Sequence, residues 1–600
     1  MSVEERKSAA SDHEEAADLP RVATIDVDNY HGIKAKTLLV YLSVNLIAAA
    51  QILNLVGAAA YARDLAADLG GATETVWLSQ SIAILTCVLG PPMSQAADYW
   101  GRKWLIVVPT LVGFAGSMIV ARARSMGMAI AGEVICGVAY GSQPLLYAVA
   151  SEILPRRFRP AAQAGINLFI SLAGVFSILV GSVLVQRSVQ GYRTFWYITA
   201  GALGVSGILC LFFYNPPPRP LQKTLTTTQK LRKLDWIGIL LLASGIVLFS
   251  MALSWSQNPY GWTDAHIIAP FSIGVLLLVG LGVHQGFIKK DGMIHHDLFQ
   301  KDRNFAISLI CIFVEGMVFF ATNNFLPFEV SVLYETDAVR IGLHFAVAFF
   351  TVIVCSFGLT AFFLFTKELR APLVASFVSF TIFNGVYKYL GTLPSGALEL
   401  NREPALMATA TLSSSTAVWA YPIFVGFGLG VCLTCLVAAA QLSAPPALIA
   451  ISSGLMISMR SLGGSVSLAI YNAIFNAQIE KNLGPSIASS VLPLGLSTQV
   501  LPDFIGALVS GDRSALLSLP NVTPEIIEAG ILGLKEAYLS SFRYVWVCAA
   551  VFSFVGAVGK VTRQFFPVNK CSDFASATCF TINPAKDLTM HVDAPLDDES

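Results

Sequence analysis

Charge is what this 600-residue chain has least of: Asp, Glu, Lys and Arg make up 13% of it, and 38 acids balance 38 bases. A soluble domain carries about twice that share of charge, so a string of soluble domains is excluded. A zero balance supplies no global field for nucleic acid. No Gly-x-x-x-x-Gly-Lys-Ser/Thr run occurs, which excludes the usual nucleotide-driven pump on one chain. The ten cysteines and eight histidines fall into no metal-ligand spacing and no disulfide framework. No nucleophile elbow or other catalytic constellation is present either. The expectation is a protein with no cofactor, no metal, no nucleotide or nucleic-acid partner and no enzymatic activity. The first 36 residues are polar and acid-rich, without a short apolar segment of the removable-signal kind. The first long apolar run is therefore expected to act as the insertion signal.

What the chain has is apolar sequence. Hydrophobic residues make up 55%, and the mean hydropathy is +0.65. They gather in runs of roughly 20 residues, the length that crosses ~30 Å of hydrocarbon as a helix. Lipid offers a bare backbone no hydrogen bonds, so such runs must be helical. The expected fold is all-α and polytopic, with about 14 transmembrane helices in a two-bundle architecture. The spans read 37–60, 75–95, 104–121, 127–150, 161–185, 195–214, 236–256, 265–287, 304–327, 341–365, 371–392, 417–441, 446–477 and 542–562. With both termini cytoplasmic, about 25 basic residues fall inside and about 12 outside, as the positive-inside rule requires.

The segments follow from the spans. Residues 1–36 form a cytoplasmic tail, 37–214 a first six-helix bundle and 215–235 a cytoplasmic linker. Residues 236–287 form two inserted helices. A second six-helix bundle runs over 304–562, with an extracellular loop at 478–541, and residues 563–600 form a cytoplasmic tail. Short helices are expected to lie over the outer mouth within 478–541. That loop holds the glycosylation sequon Asn521-Val522-Thr523. The two bundles are related by an internal repeat: Gly137, Gly141, Gly165 and Gly174 each meet a glycine 289 residues on, at Gly426, Gly430, Gly454 and Gly463. Repeated bundles are the architecture of alternating-access carriers.

Two loops carry candidate gating chemistry. After span 2 the chain reads Asp98-Tyr99-Trp100-Gly101-Arg102-Lys103, and span 4 ends in Ser151-Glu152-Ile153-Leu154-Pro155-Arg156-Arg157. Gly101 suits a tight turn, Asp98 can accept hydrogen bonds from a helix N-terminus, and Arg102 can pair with Glu152. Arg156 completes this set, although stop-transfer charge explains it equally well. Inside the spans, charges are costly and therefore informative: Glu133 in span 4, Glu315 in span 9 and Arg460 in span 13 are the proton-coupling candidates. Gln51 and Asn54 share a face of span 1. With Asn167 and Asn384 they are candidates to line a substrate cavity, or simply to bond between helices. Ala173, Ser177 and Gly181 recur every four residues, which suits close helix crossing.

The Asp98–Lys103 turn and its partner at 151–159 resemble the signature loops of the major facilitator superfamily. Leu234–Ile239, Ala252–Ser256, Met459–Ser465 and Ala537–Trp546 resemble the fungal fourteen-helix branch, nearest to trichothecene efflux pumps and neighbouring the siderophore-iron transporters. The resemblance covers about residues 35 to 565. It departs at Ser94, where the motif opens on glycine; at Glu133, where span 4 commonly carries a base; and at 174–181, which lacks a Gly-Pro pair. It implies a secondary transporter in a lipid bilayer, exporting a small organic molecule such as a mycotoxin, secondary metabolite or drug in exchange for protons, most simply at the plasma membrane. Uptake of siderophore iron, a vacuolar location and a non-transporting receptor are the alternatives.

Overall fold

A computed structural model describes residues 35–561, apart from 155–158, 218–221, 223–225, 257–259, 290–291, 294–295, 301–303, 367–369, 391–403, 444–447 and 511–512. Arg156, residues 1–34 of the N-terminal tail and the C-terminal tail thus lie outside the described residues. Residues 40–600 cluster as one compact unit, and the packing below is within it. Every regular element described is a helix. In order these are α1 (Ala35–Ala60), α2 (Ala62–Leu69), α3 (Val76–Trp100), α4 (Arg102–Ala121), α5 (Met126–Tyr140), α6 (Gln143–Ile153), α7 (Arg159–Arg187) and α8 (Gly191–Phe213). A linker helix α9 (Thr227–Lys233) precedes α10 (Trp236–Trp255) and α11 (Ala265–Val283). The second half holds α12 (Asn304–Leu333), α13 (Ala338–Thr366), α14 (Arg370–Leu390), α15 (Pro404–Ser443), α16 (Ile449–Val491), α17 (Leu501–Ser510), α18 (Arg513–Ser518) and α19 (Pro524–Val561).

Twelve stretches among the described residues are long and apolar enough to cross a membrane, α5 and α6 together making one. α14, with its apolar stretch Ala371–Gly385, and the 43-residue α16 fill the two remaining expected positions, so fourteen helices stand where fourteen spans were read. Three boundaries differ. Span 4 is two helices, broken at Gly141-Ser142. Span 9 was expected to end at 327 but runs through Pro327 to Leu333. α16 continues past 477 to Val491 and α19 begins at Pro524, so much of the expected loop at 478–541 is helix. There the last turns of α16, α17, α18 and the first turns of α19 bury their own apolar core of Ile487, Val491, Phe504, Leu508, Leu516 and Ile526. That core is the reason helices continue beyond the length a bilayer requires.

Local sequence sets the ends. Asp235 caps α10 by accepting from Gly238 N at 3.0 Å, Asp264 caps α11 by accepting from His266 N at 2.9 Å, and Ser125 caps α5 by accepting from Met128 N at 3.3 Å. The repeated glycines make equivalent contacts in the two bundles. Gly137 packs on Leu85 of α3, and Gly430, like Gly426, packs on α13, the counterpart of α3. Across the bundle interface the relation is reciprocal: α7 packs on α13, and α16 on α3. A β-carbon at Gly174 would lie 2.6 Å from the Phe349 ring, and one at Gly454 2.5 Å from Ser94 Oγ, so both seams depend on glycine. The α10–α11 hairpin lies against one seam only. Ser250 Oγ of α10 meets Ser465 Oγ of α16 at 2.8 Å, while α11 is 11% buried over its apolar window and faces outward.

Candidate functional site

The α3–α4 turn is a single residue, Gly101, whose φ of 85° favours a residue without a β-carbon. That reversal places Arg102 in the first turn of α4, where it is 3% exposed and pairs with Glu152 of α6, itself 33% exposed. Asp98 is buried one turn earlier on α3 and is engaged rather than free. The linker also grips this turn, which the sequence did not disclose. Gln222 Nε2 donates to Trp100 O at 2.6 Å, Lys230 Nζ donates to Gln222 O at 3.0 Å, and Lys103 Nζ donates to Asn215 Oδ1 at 2.5 Å. α9 is held in shape by a reciprocal capping box between Thr226 and Gln229.

In the first bundle Glu133 is wholly buried and sits in a ring of neutral donors. Trp196 Nε1 donates to Oε1 at 2.8 Å, and Asn54 Nδ2 lies 3.3 and 3.2 Å from the two carboxyl oxygens. Tyr140 Oη donates to Asn54 Oδ1 at 3.2 Å and also to Gln51 O, and Gln51 Nε2 donates to Ala139 O at 2.9 Å. Gln51 and Asn54 thus share a face, as expected, but that face is turned to α5 inside the bundle. No basic side chain pairs with Glu133 among the described residues.

The second bundle treats its charges differently. Arg460 of α16 and Glu315 of α12 form a two-pronged ion pair, Nε to Oε2 at 2.7 Å and Nη2 to Oε1 at 3.0 Å. Both are buried, and the guanidinium carbon lies 4.5 Å from the Phe319 ring centroid. Gly316 and Gly463 let α12 and α16 approach closely enough for the pair to form. Asn167 Nδ2 donates to Thr434 Oγ1 at 3.2 Å, joining the two bundles, and Asn384 Nδ2 donates to Ser553 Oγ at 3.0 Å within the second. Ser177 Oγ donates to Leu53 O at 3.0 Å and the Tyr61 ring packs on Gly181, so the small-residue stripe of α7 seats α1. Asn521 lies between α18 and α19 with φ 60°.

One buried acid escaped the sequence reading. Glu329 of α12 is 2% exposed and accepts from Trp546 Nε1 of α19 at 2.6 Å. It was missed because span 9 was closed at 327, two residues short of it. The signal that finds it is a second repeat: Tyr192-Arg193-Thr194-Phe195-Trp196 opens α8, and Phe542-Arg543-Tyr544-Val545-Trp546 stands in α19, the sixth helix of the other bundle.

A helical pair of bundles with reciprocal seams, a clamped α3–α4 turn and acids inside the spans matches known proteins. The sequence profile of the Major Facilitator Superfamily matches residues 39–293. Relatives match over more of the chain: the MFS-type efflux transporter pyiT of Pyricularia grisea is 27% identical, over 80% of this chain and 74% of that one. The MFS-type efflux transporter ffsH of Aspergillus flavipes is 25% identical, over 84% and 82%.

Over residues 39–293, then, this chain is similar to the Major Facilitator Superfamily.

Efflux pump FUS6 of Gibberella moniliformis is a further relative, 24% identical over 82% of each chain. The expected kinship with trichothecene pumps is thus met at the level of fungal efflux transporters. Solved structures agree on the fold. A POT family transporter in complex with 5-aminolevulinic acid superposes with a TM-score of 0.55 at 13% identity, over 88% of this chain and 96% of that one. A bacterial homolog to the human lysosomal transporter Spinster gives 0.54 at 14% identity, over 89% and 100%. Like these relatives, the chain is a multi-pass membrane protein and a secondary transporter, not an enzyme.

Proposed function

We propose that this chain exports a small, largely apolar organic molecule in exchange for protons, with both termini in the cytoplasm and the plasma membrane as its location. The observation that carries the coupling is Glu133: a wholly buried carboxyl held by an indole N–H and an amide, with no cation among the described residues to fix its charge. Such a group can load a proton when water reaches one face and release it at the other. Export rather than uptake follows the relatives, whose names describe efflux. The orientation rests on the bias of basic residues, which puts the Gly101 turn and the linker inside. Arg102–Glu152 and the Gln222 clasp then close the cytoplasmic face when the outer face opens.

The test uses proteoliposomes holding the purified chain and an organic extract of cells from which its gene has been deleted. An imposed pH gradient should concentrate particular compounds, read by mass spectrometry, and Glu133→Gln should abolish that accumulation while leaving downhill exchange. Accumulation by Glu133→Gln equal to the parent's would refute the assignment. A fluorescent fusion checks the location, vacuolar fluorescence being the contrary result.

A further inference from the structure

The two indole–carboxyl pairs are one arrangement built twice. In the first bundle Trp196 of the sixth helix donates to Glu133 at 2.8 Å. In the second, Trp546 of the sixth helix donates to Glu329 at 2.6 Å. The indoles occupy matching places in the pentapeptides 192–196 and 542–546. The acids do not: Glu133 is on the fourth helix of its bundle and Glu329 on the first of its own. A shared indole position with the acid supplied from different helices is not what a repeat would produce by inheritance of packing alone. Both acids also lie toward the same end of the molecule, away from Gly101. Glu133 is seven residues from the start of α5, and Glu329 is four from the end of α12.

Their surroundings separate them from Glu315, whose charge is taken up by Arg460. Trp546 occupies Oε2 of Glu329, and Oε1 has no hydrogen-bond partner among the described residues. The charged and titratable groups around it belong to every element packed there. On α12's own end are Tyr334 and Glu335, the latter 3.8 Å from Arg340 and 4.0 Å from His344 of α13. α15 supplies Tyr421. α19 supplies Lys535, whose Nζ lies 3.4 Å from Leu333 O, and Tyr538. Arg63 stacks its guanidinium 3.1 Å from the Phe328 ring centroid, and α16 carries Glu480 and Lys481 past the apolar segment. None of these cations pairs with Glu329.

We propose that Glu329 is the proton-binding carboxyl of the second bundle, with Trp546 as its positioning residue, so that the transporter carries two proton sites, one per bundle, near the same mouth. The proposal rests on proton coupling at Glu133. Each site takes its proton from water at that mouth onto a carboxylate oxygen, the indole N–H holding the group in place. Glu315 and Arg460 take no part in loading.

The experiment needs no knowledge of the substrate. Proteoliposomes adsorbed on a solid-supported membrane receive a pH jump, and the transient charge displaced by proton binding is recorded. Glu329→Gln should lower the displaced charge by about half, as should Glu133→Gln, and the double variant should lose it. Glu329→Asp, which restores a carboxyl, should recover part of it. Size-exclusion elution matching the parent shows that each variant is folded. A second readout maps labelling by dicyclohexylcarbodiimide, which attacks protonated carboxyls in apolar surroundings: Glu133 and Glu329 should be modified and Glu315 spared. Loss of the transient on Glu133→Gln with none on Glu329→Gln would overturn this proposal and leave coupling at Glu133 intact. A full transient in the double variant would overturn both.

Discussion

Arg460 and Glu315 show how a bilayer-spanning protein keeps a charge. Arg460 lies eleven residues into α16, about 16 Å from its start at 1.5 Å per residue, and its two-pronged pairing with Glu315 leaves neither charge alone. Removing one partner of a buried pair costs about 3–5 kcal/mol, whereas replacing both is far milder. Glu315→Gln alone should therefore lower the unfolding temperature in detergent sharply, and Glu315→Gln with Arg460→Met should restore most of it. An undamaged single variant would mean that the pair is not what stabilises this layer. In the first bundle Gly101 is the residue to test. Its φ of 85° is strained for any L side chain, so Gly101→Ala should cost about 1–3 kcal/mol. The neighbouring pair predicts coupling: Arg102→Ala and Glu152→Gln should each slow transport roughly tenfold, and the double variant should be no slower than either. Strictly additive losses would make them independent surface charges. Beyond the opposite ends of the helices, Tyr192 donates to Asp68 at 2.6 Å and Arg193 pairs with it at 3.1 Å. These bonds hold the Asp68 carboxyl below its ordinary range against partial burial.

The helices themselves are set by two requirements, and the second was invisible beforehand. Hydrocarbon thickness demands about 20 residues, and twelve stretches among the described residues satisfy it. Packing beyond the bilayer then lengthens particular helices: α16 reaches 43 residues and α19 reaches 38 because their far turns close an apolar core with Phe504 of α17 and Leu516 of α18. Between helices, glycine decides how near two backbones come. A side chain at Gly463 would run into the Phe313 backbone, while one at Gly358 of α13 meets nothing within 4 Å. Gly463→Val should thus lower both thermal stability and transport, and Gly358→Val should change stability by no more than about 0.5 kcal/mol. Equal damage from both would show that helix propensity, not approach distance, governs these sites. The same logic places the inserted hairpin: α10 meets α16 through Ser250 and Ser465, and α11 is left to face lipid.

At the scale of the molecule the two bundles meet through reciprocal seams, α7 on α13 and α16 on α3, and the hairpin covers only the second. The linker that joins the bundles returns to clasp the α3–α4 turn through Gln222 and Lys230. The proposed orientation is tested by single cysteines. Thr226→Cys should react with an impermeant reagent only from the cytoplasm and Gln499→Cys only from outside. Cys571 and Cys579 of the C-terminal tail are replaced first, and of the eight described cysteines six are buried and two half-buried. External labelling at 226 would reverse the topology.

By itself the sequence determined the all-helical membrane class, the approximate places of the spans and the Gly101 turn with its Arg102–Glu152 pair. Hydropathy is a local property, each span must satisfy its own backbone in lipid, and Gly101-Arg102 and Glu152 are written as compact motifs. It also disclosed the two-bundle repeat, because glycines at seams recur at a constant offset. Which acids go without a cation partner among the described residues was decided only by tertiary structure. Glu133, Glu315 and Glu329 are all glutamates in apolar helices. Arg460 is 145 residues from Glu315 along the chain, and Trp546 is 217 from Glu329. Only helix packing brings a cation to one and an indole to the other, and the partner, not the residue type, sets the three acids apart.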